Sequence, residues 1–248
     1  MLCRPGYHAA MTDTAIRLAD LRAGLIEGLQ LTRAVERDVF AALDPAVRDN
    51  APADGGWSAK DTLAHLSAWR QRQTDRLVAL REGRDEPPAP ATEIDDINAV
   101  YYEQRAGWAW DRAASDAEST ADGLLAEVAA ASDETLTDPK VAGSILGDGP
   151  EHDLGHLMQL APTEVLRSRV VDLADATRAI VDRGGWPTQT AAYARYNLAC
   201  FHALGGRLDT ARALLREALP ASEELRAFAP QDDDLIALRD EIPELAAG

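Results

Sequence analysis

Cysteine is scarce in this sequence, with Cys3 and Cys200 the only two among 248 residues. Cys3 falls in an N-terminal segment without a clear helical pattern, so we expect no structural disulfide and a reduced, cytoplasmic protein.

No run of about 18 consecutive apolar residues occurs, which argues against a transmembrane helix. Residues 1–10 also contain no apolar stretch long enough for a signal peptide, and we expect them to be disordered.

Positive charge is also in short supply. The chain has 25 lysines and arginines against 42 aspartates and glutamates, which gives a formal net charge of -17. Binding to nucleic acid or to an anionic membrane surface needs clustered cations, so the composition argues against both kinds of partner. We interpret the acidity as the solvated, self-repelling surface of a soluble protein.

Alternating runs of β-branched and aromatic residues are missing, whereas apolar residues recur at helical spacing almost throughout. We therefore predict an all-α protein. Residues 12–160 are expected to form a four-helix bundle, with Ser58 and Asp61 as a capping box at the start of the second helix. The predicted helices cover residues 12–43, residues 58–82, residues 95–131 with a kink or break within 111–121, and residues from Pro150 onward after a long glycine-punctuated loop.

A second helical unit is predicted over residues 163–248, after a seam at Ala161-Pro162. Its first helix runs to about Val181. The segment from Ala192 to Leu219 predicts a helical hairpin of about the 34-residue length of one tetratricopeptide repeat. Three small residues mark the place where its helices would cross closely: Ala199, Ala211 and Ala218. We expect this hairpin, not the bundle, to form any protein partnership, since such repeats present peptide-binding surfaces.

Two histidines, His152 and His156, lie four residues apart in a predicted helix. This spacing places both imidazoles on one face, where they can bind one metal ion without filling its coordination shell. A third ligand has to come from elsewhere, and the remaining histidines are His8, His65 and His202. His8 belongs to the N-terminal segment and we treat His202 as structural. Our working hypothesis is therefore that His65 completes a divalent-metal site in the bundle core.

A set of polar and aromatic residues could surround such a site. Asn98, Tyr101 and Arg105 recur at steps of three and four, so they share one helical face. That face either orients a substrate or forms a solvated flank. Four tryptophans either line a pocket or pack in the core, which is the default interpretation for large aromatic residues: Trp57, Trp69, Trp108 and Trp110.

Two carboxylates flank the first histidine of the pair. Asp153 follows His152 as the glutamate does in the H-E-x-x-H metalloproteases, where that glutamate is the general base. Aspartate is shorter, and no other feature of those enzymes is present. We expect Asp153 and Glu151 to be surface or capping carboxylates near a helix N-terminus. Cys200 is expected to be a buried small residue and not a nucleophile.

The string W-S-x-K-D-x-L-x-H-L-x-x-W at residues 57–69, combined with the later H-x-x-x-H at 152–156, resembles the DinB-like four-helix bundle superfamily. That group also includes the bacillithiol and mycothiol S-transferases. The resemblance covers residues 12–160. The stretch from Ile97 to Arg105 is similar to the ClbS-like branch, which is tied to self-protection against DNA-reactive natural products.

The resemblance implies a divalent metal, zinc or nickel, on His65, His152 and His156. An ion with three histidine ligands keeps an open position, where water or a thiolate cofactor can be activated. The implied protein is an enzyme that acts on a small electrophilic substrate by thiol S-transfer or hydrolysis, in detoxification or self-resistance.

Two further expectations concern the cofactor and the partners. Abundant alanine and arginine are typical of a high-GC bacterium, in which mycothiol would be the low-molecular-weight thiol. The alternative to an enzyme is a non-catalytic binding or scaffold protein that uses the tetratricopeptide-like hairpin for protein partners. A homodimer is compatible with either function.

Overall fold

The computed structural model describes residues 18–53, 55–183 and 185–247. The prediction of an all-α protein is confirmed, because these residues contain helices and no strand. No helix among them is long and apolar enough to cross a lipid bilayer. The predicted start of the first helix, Cys3 and His8 lie outside the described residues.

The described α-helices are, in chain order, α1 Leu18–Ala41, α2 Pro45–Asp49, α3 Ala59–Arg81, α4 Ile94–Arg105, α5 Trp110–Ala130, α6 Asp133–Thr137, α7 Pro139–Asp148, α8 Pro150–Leu160, α9 Glu164–Asp182, α10 Thr188–Leu204, α11 Leu208–Ala218, α12 Glu223–Phe228 and α13 Ile242–Ala246. Three 3-10 segments lie between α11 and α13, at Leu219–Ala221, Ala229–Gln231 and Asp233–Glu241.

Helices α1, α3, α5 and α8 form the bundle. The most extensive pairing joins α3 to α5, while α1 packs on both α5 and α8, and α3 also packs on α8. The predicted capping box at the start of α3 is confirmed: the Asp61 backbone N–H donates to Ser58 Oγ at 3.1 Å, and the Ser58 N–H donates to Asp61 Oδ2 at 3.3 Å. The predicted start of the fourth bundle helix at Pro150 is also confirmed, since a proline suits the first helical position.

The prediction for the third helix was partly wrong. A break is present, but it lies at residues 106–109, just before the weakly apolar stretch 111–121. Helix α5 then runs without interruption to Ala130 and buries a stripe of small and apolar residues against α3. Helix α4 becomes a separate element on the side of the bundle, with Ile97 as its one buried residue.

The prediction of a long loop between Thr137 and Pro150 was wrong, since α7 occupies most of that stretch. The Asp138 carboxylate accepts from the Lys140 backbone N–H at 2.8 Å and caps the helix, and Pro139 follows at its first position. The glycines that suggested a loop are tolerated because the helix is stabilised by burial of its apolar face: Val141, Ala142, Ile145 and Leu146.

The C-terminal residues include the predicted helical hairpin, formed by α10 and α11. Gly206, with a φ of +72°, lies in the turn between them, in a backbone conformation that glycine adopts without strain. The three small residues expected at the crossing are fully buried: Ala199, Ala211 and Ala218. The likeness of this hairpin to a tetratricopeptide repeat stays a prediction.

Two clusters of buried apolar residues form the core. One extends from Val35 and Leu63 in the bundle to Leu245 near the C-terminus. The other joins Leu25 of α1 to Ile180 of α9 and Ala194 of α10, among others. Both clusters therefore combine residues from the two sides of the seam at 161–162. The division into units at 12–160 and 163–248 stays a prediction, and the C-terminal helices pack directly against the bundle.

Candidate metal centre

The three histidines proposed as ligands come from two neighbouring helices of the bundle. His65 lies in the second turn of α3 and is buried, with 3% of its surface exposed. His152 and His156 are half-buried and lie one turn apart on α8, which begins at Pro150. Because α3 and α8 are in contact, the histidine of α3 faces the pair on α8.

The three imidazoles form a nearly equilateral triangle. The ring centroids are 4.9 Å apart for His65 and His152, 5.2 Å for His65 and His156, and 5.0 Å for His152 and His156. The Nε2 atoms of His65 and His152 lie 3.0 Å apart, and one candidate ligand nitrogen from each histidine lies within 4.8 Å of the other two. The structure therefore brings together the three residues that the sequence pattern singled out.

This triangle fits a divalent ion. Three nitrogens bound at about 2.0–2.1 Å to one tetrahedral zinc lie roughly 3.3–3.4 Å from one another. One pair of nitrogens is 3.0 Å apart, close to that value, and all three lie within 4.8 Å of one another. The donor set, three imidazoles, is one that zinc accepts in proteins.

The electrostatic state of His156 suits a ligand. Burial lowers the pKa of His156 to about 4, because the charged imidazolium loses hydration. The ring is therefore neutral near pH 7, and a neutral imidazole is the form that donates a lone pair to a metal.

Aromatic rings border the candidate metal centre on the side of α4. Trp57 lies against His65 with a centroid separation of 4.7 Å and stacks on Tyr102 of α4 at 5.5 Å. Trp69 is placed edge-on to His65 and His152, at 6.4 and 6.0 Å. Of the four tryptophans considered, these two border the histidines.

The other two tryptophans lie elsewhere. Trp108 lies under the guanidinium groups of Arg105 and Arg112, at 5.3 and 4.1 Å from its ring centre. Trp110 packs beside Phe40 with a centroid separation of 6.1 Å.

The proposed substrate-binding residues of α4 lie one layer away from the histidines. Asn98 Oδ1 accepts a hydrogen bond from Trp69 Nε1 at 3.1 Å, and the Tyr101 ring meets Trp69 edge-on at 5.6 Å. Arg105 lies further along, with its guanidinium 5.9 Å from the Tyr101 ring centre and 4.0 Å from the Asp116 carboxylate. Asn98 and Tyr101 both contact Trp69 from the α4 side. The role of Asn98, Tyr101 and Arg105 in substrate binding stays a prediction.

The expectation that Asp153 is a surface or capping carboxylate was wrong, and α8 has no side-chain cap hydrogen bond. Asp153 is completely buried and its Oδ2 accepts a hydrogen bond from Arg70 Nη2 at 2.5 Å. Arg70 also bonds to both carboxylate oxygens of Glu36, and all three side chains are buried. Because α8 places Asp153 toward α1 and α3, this carboxylate is directed away from solvent and pairs with a cation from the neighbouring helix.

Protonation in this buried triad follows from its charges. Burial raises the pKa of Asp153 to about 7, with the Glu36 charge adding to the rise and Arg70 opposing it. Desolvation also lowers the pKa of Arg70, but the two carboxylates outweigh it and the net shift is upward. A guanidinium does not lose its proton in proteins, so Arg70 stays charged.

Glu151 also differs from the expectation of a surface or capping residue. It is buried, with 2% of its surface exposed, and its Oε2 accepts a hydrogen bond from Asn197 Nδ2 of α10 at 2.6 Å. Three residues of these contacts were not predicted from the sequence: Arg70, Glu36 and Asn197. A signal for one of them exists: Glu36 occupies a core position in the sequence Leu29, Thr32, Glu36, Val39, whose spacing of three and four residues is that of a buried stripe.

A second group of metal-binding residue types, Cys200, Asp232 and Asp234, lies in the C-terminal region. Cys200 is buried, as expected for a small core residue. Asp232 has structural partners for both oxygens: Oδ2 accepts from the Tyr196 hydroxyl at 2.8 Å, and Oδ1 accepts from the Asp234 backbone N–H at 3.0 Å. We interpret this group as a cap that fixes the start of the 3-10 segment.

Comparison with known families decides where the chain belongs. A family model described as the DinB superfamily matches residues 28–167, which is more than half of the chain. The chain belongs to the DinB superfamily. The matched region of this DinB protein contains α3 and α8 and therefore all three histidines of the triangle. No curated protein and no solved structure gives a significant match to it.

Proposed function

We propose that this DinB protein is a metal-dependent enzyme whose divalent ion, zinc or nickel, is bound by His65, His152 and His156. The observation that carries the proposal is the convergence of three imidazoles from two helices, with their candidate ligand nitrogens within 4.8 Å of one another. A histidine in a bundle core that serves only packing needs one hydrogen-bond partner, not two other imidazoles at about equal distance.

The protein groups around the triangle each have a task in this proposal. Trp57 and Trp69 cover the α4 side of the centre, so they restrict the access of water to the ligands. The Glu36–Arg70–Asp153 triad ties α1, α3 and α8 together next to His152, and so keeps the α8 ligands in register with His65. With three protein ligands, a bound divalent ion keeps an open position at which it lowers the pKa of water or a thiol.

We further propose that the substrate is a small electrophile, and that the reaction is either thiol S-transfer or hydrolysis. Both reactions use the same three ligands and differ in the nucleophile, a thiol such as mycothiol in the first and water in the second. Asn98, Tyr101 and Arg105 are proposed to contact the substrate from α4, beyond the Trp69 wall.

Metal content is the test of the centre. The full chain, purified without chelator and analysed by plasma mass spectrometry, is expected to contain close to one equivalent of divalent metal. After removal of the metal, titration with zinc and with nickel is expected to show one tight site. His156→Ala is expected to lose most of that affinity, since two histidines leave the ion largely solvated.

The matched control is Gln159→Ala, an exposed residue on the same helix. This variant is expected to bind zinc like the unmodified protein. Equal zinc affinity for His156→Ala and the unmodified protein would show that the triangle is not the metal site.

The nucleophile is tested on metal-loaded protein. Consumption of the fluorogenic electrophile monochlorobimane is expected to depend on an added thiol if the reaction is S-transfer, and hydrolysis of p-nitrophenyl acetate is expected without a thiol if water is the nucleophile. His156→Ala should lose the activity in either case. Metal-loaded protein that accelerates neither reaction would favour the non-catalytic alternative.

A further inference from the structure

A cavity of about 260 Å³ lies between α3, α7, α10 and the residues that lead into α4. This volume is slightly below the roughly 300–1,000 Å³ of sites for drug-sized ligands, so it suits a small metabolite or one end of a larger one. Its lining combines polar and apolar surface, and it includes Trp69, Arg72, Gln73, Arg76, Asp148 and Asn197.

The cavity adjoins the histidine triangle through Trp69. This ring lines the cavity and also meets His65 and His152 edge-on, at 6.4 and 6.0 Å. Asn197 is a second link, because it lines the cavity and donates a hydrogen bond to Glu151, the residue before His152. A ligand in the cavity is therefore separated from the candidate metal centre by one side chain.

Arg72 is the cation in this cavity that has no carboxylate partner. Its guanidinium lies 5.3 Å from the centre of the Trp69 ring, and among the described residues it forms no ion pair. Burial raises the pKa of Tyr101, and the positive charge of Arg72, together with its hydrogen bond to Tyr101, opposes that rise. The half-buried guanidinium lies over the Trp69 ring and donates one hydrogen bond toward Tyr101. A guanidinium has five N–H donors, so others remain for an anionic ligand.

The second arginine of the cavity is already engaged. Arg76 Nε forms an ion pair with Glu86 at 2.9 Å, and its Nη1 donates to Ser144 Oγ at 2.8 Å. Arg76 and Glu86 therefore neutralise each other at the edge of the cavity and leave Arg72 as the residue for charge recognition.

Asp148 restricts what kind of anion fits. It is buried, it lines the cavity, and its Oδ2 accepts a hydrogen bond from Gln73 Nε2. The Asp148 carboxylate in the cavity lining repels a ligand that carries only anionic groups, but it accepts a hydrogen bond from a hydroxyl or ammonium group. The cavity thus combines a site for an anion with a site for a donor.

We propose that this cavity binds a small organic carboxylate that also carries a hydroxyl or ammonium group, with Arg72 binding the carboxylate and Asp148 accepting from the donor. Amino acids and hydroxy acids have this chemistry. The proposal rests on the proposed function in one respect, that such a molecule is the non-reacting end of the substrate or thiol that acts at the histidine centre. It also gives α10 a role in small-molecule binding, since Asn197 completes the cavity wall.

The test compares acids with their amides on the metal-free full chain, so that carboxylate binding to a metal does not contribute. The probes are L-serine against L-serinamide and L-lactate against L-lactamide, followed by isothermal titration calorimetry. The unmodified protein is expected to bind each acid at least tenfold more tightly than its amide. Arg72→Gln is expected to abolish that preference, whereas Arg72→Lys, which keeps the charge, should retain part of it.

The matched control is Arg84→Gln, which removes an exposed arginine that pairs with Glu82 outside the cavity. It is expected to bind both acids like the unmodified protein. Circular dichroism of each variant establishes that its helices are intact. Asp148→Asn is expected to weaken L-serine and L-lactate binding but not that of propionate, which has the carboxylate and no donor.

Two results would overturn the proposal: acids and amides that bind equally, or no binding of either acid to the unmodified protein at millimolar concentration. The same titrations on His156→Ala separate this proposal from the metal-dependent function. That variant is expected to lose the metal and keep the preference for acids, because Arg72 is not a ligand of the triangle. A preference that disappears in His156→Ala would place the acid at the histidines and overturn the role of Arg72.

Discussion

Asn197 of α10 donates a hydrogen bond from Nδ2 to Oε2 of Glu151 at 2.6 Å. Glu151 is buried in the first turn of α8 and immediately precedes His152. A hydrogen bond to a buried carboxylate is stronger than one between neutral groups, so it fixes the turn that carries the first α8 histidine. A residue beyond the region 28–167 that matches the family therefore contacts the turn that carries a candidate ligand.

The first prediction is that Asn197→Ala weakens zinc binding. The substitution removes the hydrogen bond from Asn197 to Glu151, so the first turn of α8, which contains His152, is held less rigidly. We expect the affinity to fall about three- to tenfold, less than the roughly 10–100-fold typical of a partner bonded to the ligand itself. Competition titration against a zinc chelator measures the change. The control is Leu204→Ala, an exposed residue at the end of α10 that is expected to leave the affinity unchanged.

The second prediction concerns the buried triad. Arg70→Leu leaves Glu36 and Asp153 buried without their cation, and we expect a loss of about 3–5 kcal/mol in the free energy of unfolding. Asp153→Asn is expected to cost less, because Arg70 keeps its bonds to Glu36. Urea denaturation monitored by circular dichroism measures both losses.

The control for the triad is Arg84→Leu, which removes an exposed pair with Glu82 and should cost little or nothing. If Arg70→Leu were as stable as this control, the triad would contribute nothing to the fold. A larger loss for Asp153→Asn than for Arg70→Leu would contradict the charge argument.

Local sequence signals accounted for much of the fold. Ser58 with Asp61 marked the start of α3, and Pro150 marked the start of α8, because capping residues act on their own helix. The stretch 139–148 shows where such signals fail. Its glycines favour a loop in isolation, and burial of its apolar face against the rest of the protein overrides them.

The same difference between local signals and long-range packing applies to the candidate site. His152 and His156 could be recognised as a pair because a spacing of four residues is local. His65 was chosen from the few remaining histidines, and the family resemblance implied the same residue. Arg70 and Asp153 are 83 positions apart, so their pairing depends on how α3 and α8 pack and is not visible in either segment alone. For that reason Asp153 was wrongly expected to be a surface or capping carboxylate.

The third prediction is a pH dependence that originates at His202. Burial, followed by the charge of Arg207, lowers the pKa of His202 to about 4. Arg207 Nε also donates a hydrogen bond to His202 Nδ1 at 2.8 Å, so this nitrogen accepts and cannot be protonated without loss of the bond. The unfolded chain takes up this proton near pH 6.5.

The unfolded state thus binds more protons than the folded state between pH 6.5 and about 4, so the His202 contribution is present above this window and is lost as the pH falls through it. The loss is up to roughly 3 kcal/mol. His202→Asn removes this titration. Urea unfolding at pH 7.5 and pH 4.5 should therefore show a smaller acid-induced loss for the variant, and an equal loss would rule out His202 as the source.

The last prediction tests the close packing of α1 on the C-terminal helices at Gly24. A Cβ atom at this position would lie 2.9 Å from Ile180 Cγ2 and 3.1 Å from Trp186 Cζ2, both in buried side chains with little room to move. Gly24→Ala gains helix propensity but overpacks this contact, so we expect a net loss of about 1–3 kcal/mol in the free energy of unfolding. Gly28→Ala, one turn further along α1, is the matched control. Its Cβ would make ordinary contacts, 3.4 Å from Pro150 Cγ, and it is expected to gain up to about 1 kcal/mol from helix propensity. Urea denaturation of the two variants should therefore give changes of opposite sign. If Gly24→Ala were as stable as Gly28→Ala, the packing of α9 against α1 at Gly24 would be looser than in the structure.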